Sequence, residues 1–213
     1  MPVQGAAESD YLRRGVRRFR NEVFPKKREL YESLAEKQVP LALFLTCGDS
    51  RIDPLALTSS DPGEVFVERT PGNVVPIYSD SAAVGVSASI EYSVVVLGVK
   101  DIVVCGHSTC GAMKALLDPE ELHIVPATSR WLHYAEPAVR MLNHSYGHLS
   151  EPERLKRLCQ LNVVLQVSHL HTHPEVETRF REGKLALHGW YYEIHTGSVE
   201  AFNEEAGQFE VLD

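Results

Sequence analysis

Three short apolar runs rich in β-formers, Leu41–Leu45, Val65–Val67 and Ile102–Val104, alternate with stretches of helical character. Strands buried on both faces read as continuous apolar runs. Strand, helix, strand in that order calls for crossover connections, and therefore for a parallel sheet with helices packed on it. The small and apolar segment from Ser81 to Leu97 supplies one such helix. Ala135–Asn143, Pro152–His169 and Pro174–Arg181 supply others, and Gly189–His195 followed by Gly197-Ser198-Val199 predicts a terminal hairpin. The expected fold class is α/β, with a central, mostly parallel sheet flanked by helices.

Ahead of the sheet, residues from about Asp10 to Lys37 are charged and rich in helix formers. Leu12, Val16, Phe19, Val23 and Phe24 recur at spacings of three and four until Pro25 breaks the run. This predicts an amphipathic helical arm and a second helix ending near Lys37. The stripe from Tyr11 to Phe24 has too few local partners, so the arm is expected to bury it on a partner subunit. With 213 residues, 44% of them hydrophobic, and no linker-like shift in composition, a single domain over 1–213 is expected, its arm at 1–37 and its core at 38–202.

The chemistry concentrates in two segments, Cys47-Gly48-Asp49-Ser50-Arg51 and Cys105-Gly106-His107-Ser108-Thr109-Cys110-Gly111-Ala112. Cys47, His107 and Cys110 offer two thiolates and an imidazole, a set that suits zinc and leaves a tetrahedral ion one open position. An open position points to catalysis. Cys105 continues the run Ile102-Val103-Val104 and reads as strand interior, and Cys159 reads as a core residue of its helix. Asp49 and Arg51 follow Cys47 at two and four residues, so an extended chain would project all three to one side. A guanidinium there can hold the carboxylate off the metal in a bidentate pair. Gly106 and Gly111 punctuate the passage from strand to helix, which puts His107 and Cys110 at the carboxyl end of a strand, where open α/β sheets carry their sites. His169, His171 and His173 alternate before Pro174 and could converge on a second metal if extended, but they more readily close a helix. His123, His133, His144 and His148 are scattered near loops, as surface residues or proton carriers.

Cys-X-Asp-X-Arg, followed sixty residues after its cysteine by His107 within Gly-His-Ser-X-Cys-Gly, resembles the signature of the β-class carbonic anhydrases. Pro62–Arg69, Gly72–Pro76, Ile90-Glu91-Tyr92 and Leu187–Tyr192 through Gly197 resemble family segments in family order. The family usually has Ser where Gly48 stands and Asn-Ala where Thr70-Pro71 stand. Gln38, Phe66 and Tyr92, nine residues before and nineteen and forty-five after Cys47, resemble the pocket residues of the plant-like and cyanate-associated bacterial forms. The other subtype has a tryptophan where Phe44 stands. Arg69 matches an arginine of that subtype's second bicarbonate site, which is not expected to work here.

The resemblance implies reversible hydration of carbon dioxide to bicarbonate and a proton by zinc-bound hydroxide, with one Zn2+ per chain on Cys47, His107 and Cys110. Asp49 would orient the nucleophile and Arg51 would hold Asp49. Gln38 and the backbone around Gly111 would place bicarbonate, and Phe66 and Tyr92 would form an apolar wall for carbon dioxide. The resemblance also implies a pocket lined from both chains of a homodimer or higher homo-oligomer. Hydrolysis of carbonyl sulfide or carbon disulfide on the same scaffold, or a non-catalytic zinc-stabilised binding role, are the alternatives.

A net charge of −8 argues against nucleic acid and anionic membrane surfaces as partners. The apolar runs are too short to span a membrane, and the first residues lack a signal peptide's apolar core. Four cysteines, two of them explained as metal thiolates, suit a reducing compartment, so a cytoplasmic location is expected.

Overall fold

The computed structural model describes residues 6–79 and 84–212. The chain forms two compact units, Met1–Gln38 and Val39–Asp213. In the first, α1 (Ala6–Arg18) runs into a π-helical turn at Phe19–Val23, a 3₁₀ turn at Phe24–Lys27, and α2 (Arg28–Leu34). Pro25 falls in the first turn of the 3₁₀ segment, where its missing N–H removes no internal hydrogen bond. Phe19, Phe24 and Tyr31 pack ring on ring, with Tyr31 5.6 Å from Phe19 and 5.3 Å from Phe24, and this fixes α2 on the turn. Tyr11, Leu12 and Val16 stay about two-thirds exposed, at 69%, 68% and 67%.

The second unit is built on a six-stranded sheet in the order β2-β1-β3-β4-β5-β6. β1 (Ala42–Cys47) is followed by α3 (Pro54–Thr58), β2 (Val65–Thr70), α4 (Val84–Glu91) and β3 (Asp101–His107). Next come α5 (Gly111–Leu117), α6 (Pro126–Leu132), α7 (Glu136–Ser145), α8 (Glu151–Leu170) and α9 (Pro174–Arg181). The strands β4 (Ala186–Tyr192), β5 (Val199–Asn203) and β6 (Gln208–Val211) end the fold. The first four strands in sheet order are parallel, and the last two add antiparallel pairs. The expected hairpin is therefore the β4–β5 pair, and β6 is a further strand that its four residues were too short to announce. Of the helix expected from Ser81 to Leu97, residues 81–83 lie outside the described residues. The remainder is α4 continued by a π-helical stretch, Tyr92–Leu97, and closed by Gly98 at φ 69°.

Leu43, Leu45, Ile102 and Val104 on one sheet face bury against Ile90, Val94, Val163, Leu170 and Val176 from the helices. α8 lies unusually close to that face. A Cβ on Gly106 would come within 2.7 Å of Val163 Cγ2, and one on Gly189 within 3.0 Å of its Cγ1. The two glycines are thus required by the contact between helix and sheet.

α8 also carries a buried polar edge that the sequence reading did not foresee. Asn162 Nδ2 donates to Gly72 O at 2.9 Å, Gln166 Oε1 accepts from Val75 N at 2.8 Å, and His169 Nδ1 donates to Val75 O at 2.7 Å. His173 Nε2 donates to Pro76 O at 3.0 Å. The irregular segment Gly72–Pro76 has no strand partner, so these side chains supply the partners its buried backbone groups need. The histidine run is accounted for in the same way: His169 and His173 bond backbone, and His171 pairs with Glu177 at 2.7 Å.

Gly106→Ala should overpack the contact with Val163 and lower stability by about 1–3 kcal/mol. Urea unfolding followed by circular dichroism should show a lower midpoint at unchanged slope. The double change Gly106→Ala with Val163→Ala should recover part of the loss.

Candidate active site

In a sheet of this order the chain leaves β1 for β2 on one side and later reaches β3 on the other. The carboxyl ends of β1 and β3 therefore flank a topological switch point, the usual place for a site in an open α/β sheet. Cys47 ends β1 and His107 ends β3. Cys110 is the N-cap residue of α5, its carbonyl accepting the first helical hydrogen bond from Lys114 N–H at 2.9 Å. Topology and capping together bring residues sixty positions apart into one cluster.

All three side chains are buried, and their ligand atoms lie within 4.8 Å of one another. The two Sγ atoms are 4.0 Å apart. The edge of a tetrahedron with arms of about 2.3 Å is about 3.8 Å, so the sulfurs already stand near the spacing of two zinc thiolates. His107 Nδ1 donates to Ser108 O at 2.9 Å, which fixes the tautomer and leaves the Nε2 lone pair facing the sulfurs. Nε2 is buried and has no hydrogen-bond partner. A buried, unpartnered imidazole nitrogen beside two thiols is costly unless an ion takes its lone pair. The residues present fit zinc.

The thiols differ in kind. A hydrogen bond from Cys110, acting against the effect of burial, holds Cys47 down to about 4. The Cys110 thiol is pushed up, first by that same bond to Cys47 and then by burial. A metal binds thiolates, so binding by both sulfurs would release a thiol proton. Cys105 and Cys159 are both pushed up to about 12 by burial, as inert core thiols are.

Asp49 and Arg51 do meet beside this cluster, but by a different route from the one expected. The strand does not continue past Cys47. The chain turns through Ser50 and Arg51, with Ile52 N–H bonded to Asp49 O at 3.0 Å. Within that turn Arg51 Nε donates to Asp49 Oδ1 at 3.0 Å and Nη2 to Oδ2 at 2.7 Å. Arg51 N–H adds a third bond to Oδ1 at 3.0 Å. The guanidinium beside it, reinforced by that backbone bond, holds the Asp49 carboxyl well below the usual carboxylate range. Asp49 Oδ2 lies 3.9 Å from His107 Nε2.

Two further residues complete the frame, and sequence reasoning missed both roles. Thr109 accepts from Arg51 Nη1 through Oγ1 at 3.1 Å and from Nη2 through its carbonyl at 3.2 Å, so Arg51 ties the two motifs together. Thr109 adopts φ 54°, a left-handed conformation costing a β-branched residue about 1–3 kcal/mol. Arg69 Nε donates to Cys47 O at 3.1 Å and Nη2 to Asp49 O at 2.6 Å, so its guanidinium is engaged with backbone. Only the bonds made across the fold reveal either role.

The other expected pocket residues are more scattered. Phe66 and Tyr92 pack together with ring centroids 6.3 Å apart. Phe66 pairs with Leu43, four residues before Cys47, which is about 13 Å along a strand. Gly111 opens α5, with free space where a Cβ would lie. Gln38 sits in the coil at the end of the first unit, with its side chain exposed. No described helix is long and apolar enough to cross a membrane.

The profile of the carbonic anhydrase family matches residues 42–199. The chain belongs to the carbonic anhydrase family. A carbonic anhydrase of Pseudomonas aeruginosa is 47% identical over 195 residues, covering 92% of this chain and 88% of that one. Among solved structures, the β-carbonic anhydrase CcaA superposes with a TM-score of 0.93 at 36% identity, covering 96% of this chain and 100% of that chain. One of two β-carbonic anhydrases described as tetrameric, from Sordaria macrospora, superposes with a TM-score of 0.74 at 29% identity, covering 93% and 95%. The chain is thus a carbonate dehydratase of the β class, an enzyme for the reversible hydration of carbon dioxide with zinc as its metal.

Purified protein should contain about one zinc per chain, as a single three-ligand site requires. Cys47→Ser, His107→Ala and Cys110→Ser should each lose most of it by elemental analysis, whereas Cys105→Ala and Cys159→Ala should keep it. Full occupancy after any of the first three changes would reassign the ligands.

Proposed function

We propose that Cys47, His107 and Cys110 hold the zinc, that Asp49 orients the attacking water-derived nucleophile, and that Arg51 keeps Asp49 in that role. Zinc, when bound, lowers the pKa of its water from about 15.7 towards about 7 and so supplies a nucleophile near neutral pH. The observation that carries the reading is the double grip of Arg51, bidentate on Asp49 and bonded twice to Thr109. A site built only to stabilise the fold would have no use for a carboxylate held this way beside the ligands. Oδ1 takes two bonds from Arg51 and Oδ2 only one, so Oδ2 keeps an acceptor direction for a proton donor in the pocket. With its carboxyl held well below the usual range, Asp49 stays ionised, and so a pure acceptor, throughout the range in which carboxylates ordinarily titrate.

Gln38 and the Gly111 backbone are proposed to place bicarbonate, and Phe66 with Tyr92 to wall the carbon dioxide pocket in the manner of the plant-like and cyanate-associated forms. The aromatic pair stands about 13 Å from the strand end that bears Cys47, so we assign it to a partner's pocket. The active unit is then at least a homodimer, and the exposed stripe of Tyr11, Leu12 and Val16 is proposed to bury on the other subunit. The tetrameric relatives of Sordaria macrospora support a homo-oligomer. Four buried free cysteines support a reducing compartment, and hence a cytoplasmic location.

Arg51→Ala should free the Asp49 carboxylate, 3.9 Å from His107 Nε2, to turn toward the ligand set. Zinc should stay while turnover falls. Adding Asp49→Ala should not be additive, since residues in direct contact couple by about 0.5–3 kcal/mol. Carbon dioxide hydration by stopped flow, with metal analysis on both single variants and the double, decides the matter. Strictly additive losses, or unchanged turnover in Arg51→Ala, would remove Arg51 from this role.

Removal of the first 24 residues should weaken association in light scattering and lower activity with it. A truncated chain that stays dimeric and fully active would mean that the arm does not hold the subunits together.

A further inference from the structure

Asp49 is restrained from both ends. Its carboxylate is held by Arg51, and its backbone carbonyl by Arg69, whose guanidinium also takes the carbonyl of Cys47. Between those two carbonyls lies Gly48. A Cβ built on Gly48 would meet nothing within 4 Å, so no packing steers this residue. Its N–H is bonded to Thr70 O at 3.0 Å, and glycine otherwise leaves the backbone its full freedom here. The link between Cys47 and the Asp49 carboxylate is therefore a residue without side-chain packing, and the Arg69 side chain spans it.

We propose that Arg69 is a positioning residue for the reaction, a clamp across Gly48 that fixes Asp49 relative to Cys47. The inference rests on the role assigned to Asp49 above. Arg69 is suited to it by its planar fork, which can donate to two carbonyls at once from Nε and Nη2, whereas a lysine ammonium at the end of a flexible stem holds no such geometry. Its position is set by the sheet. Arg69 pairs with Thr46 in register, next to the Cys47–Thr70 pair, at the same end of the strands as the ligands. Losing the clamp removes no ligand, so the metal stays. It lets the Asp49 backbone drift while Arg51 still grips the carboxylate, so the acceptor moves away from the position that the chemistry needs.

The test compares Arg69→Met, Arg69→Lys, Gly48→Ala and the double change Arg69→Met with Gly48→Ala. Each is assayed for zinc per chain, circular dichroism, and kcat and KM for carbon dioxide hydration, with Asp49→Ala as the control. Arg69→Met should keep its zinc and its spectrum and lose about ten- to a hundredfold in kcat with KM within about twofold, the signature of misplaced machinery. Arg69→Lys should fall between it and the wild type. Alanine at 48 fits the open space and narrows the backbone freedom, so in the Arg69→Met background it should restore kcat by about threefold or more. Unchanged kcat in Arg69→Met, a rise in KM alone, loss of zinc in step with activity, or no recovery from alanine at 48 would each overturn the proposal. If Arg69→Met does not fold, Arg69→Lys with and without Gly48→Ala decides by the same criteria. An Asp49→Ala control with wild-type kcat would instead refute the role of Asp49 itself, whatever Arg69 does.

Discussion

The pairing of β1 with β3 is the constraint on which the rest of this protein depends. Thr46 stands opposite Cys105, and its Oγ1 bonds the Cys105 carbonyl at 2.9 Å, locking the two strands at the residues that precede the ligands. Side chains alternate along a strand, so a slip of one residue would turn Cys47 to the opposite face from the helices and part it from Cys110. The buried rows Leu43–Ile102 and Leu45–Val104 oppose such a slip, because it would exchange the whole apolar face at once. The same hydrophobic pattern that buries the sheet therefore sets the geometry of the Cys47, His107 and Cys110 cluster.

Beyond the strand ends the site is made of irregular backbone, and irregular backbone has to be held by something. On the helix side the holders are Asn162, Gln166, His169 and His173, whose buried polar groups take the peptide groups of Gly72–Pro76. A hydrogen bond of this kind contributes about 1 kcal/mol net, but an abandoned buried partner costs about 1–3 kcal/mol, so the ladder acts mainly by making alternatives expensive. Placing a polar edge on a helix that otherwise packs as core is coherent only because those peptide donors and acceptors are present.

On the open side two guanidinium groups do the corresponding work. Arg51 joins the loop after β1 to the loop after β3, and Arg69 joins the end of β2 to the loop after β1. Arginine can do this where lysine cannot, since its donors are fixed in a plane and match two acceptors together. The departures at Gly48 and Thr70-Pro71 lie inside this frame. Thr70 Oγ1 bonds Val74 O at 2.9 Å and Pro71 O accepts from Trp131 Nε1 at 3.0 Å, so the second departure is absorbed into local bonds, while the first leaves open space where a side chain would lie.

The sequence alone determined the α/β class, the presence of most elements and the three residues that cluster as a metal-binding group, because thiols and imidazoles declare their chemistry and strands and helices leave periodic traces. Pro174–Arg181 was legible to the residue. The Asp49–Arg51 pair was legible as a partnership but not as a shape: proximity in sequence announces the contact, while the turn at Ser50–Arg51 depends on where the strand stops. The roles of Thr109, Arg69 and the polar edge of α8 left no trace: Thr109 accepts from an arginine far away in sequence, the others bond distant peptide groups, and a carbonyl has no letter in a sequence. Residue chemistry is written along the chain and can be read there. Which peptide group a buried side chain must satisfy is decided only when the strands have paired and the helix has docked.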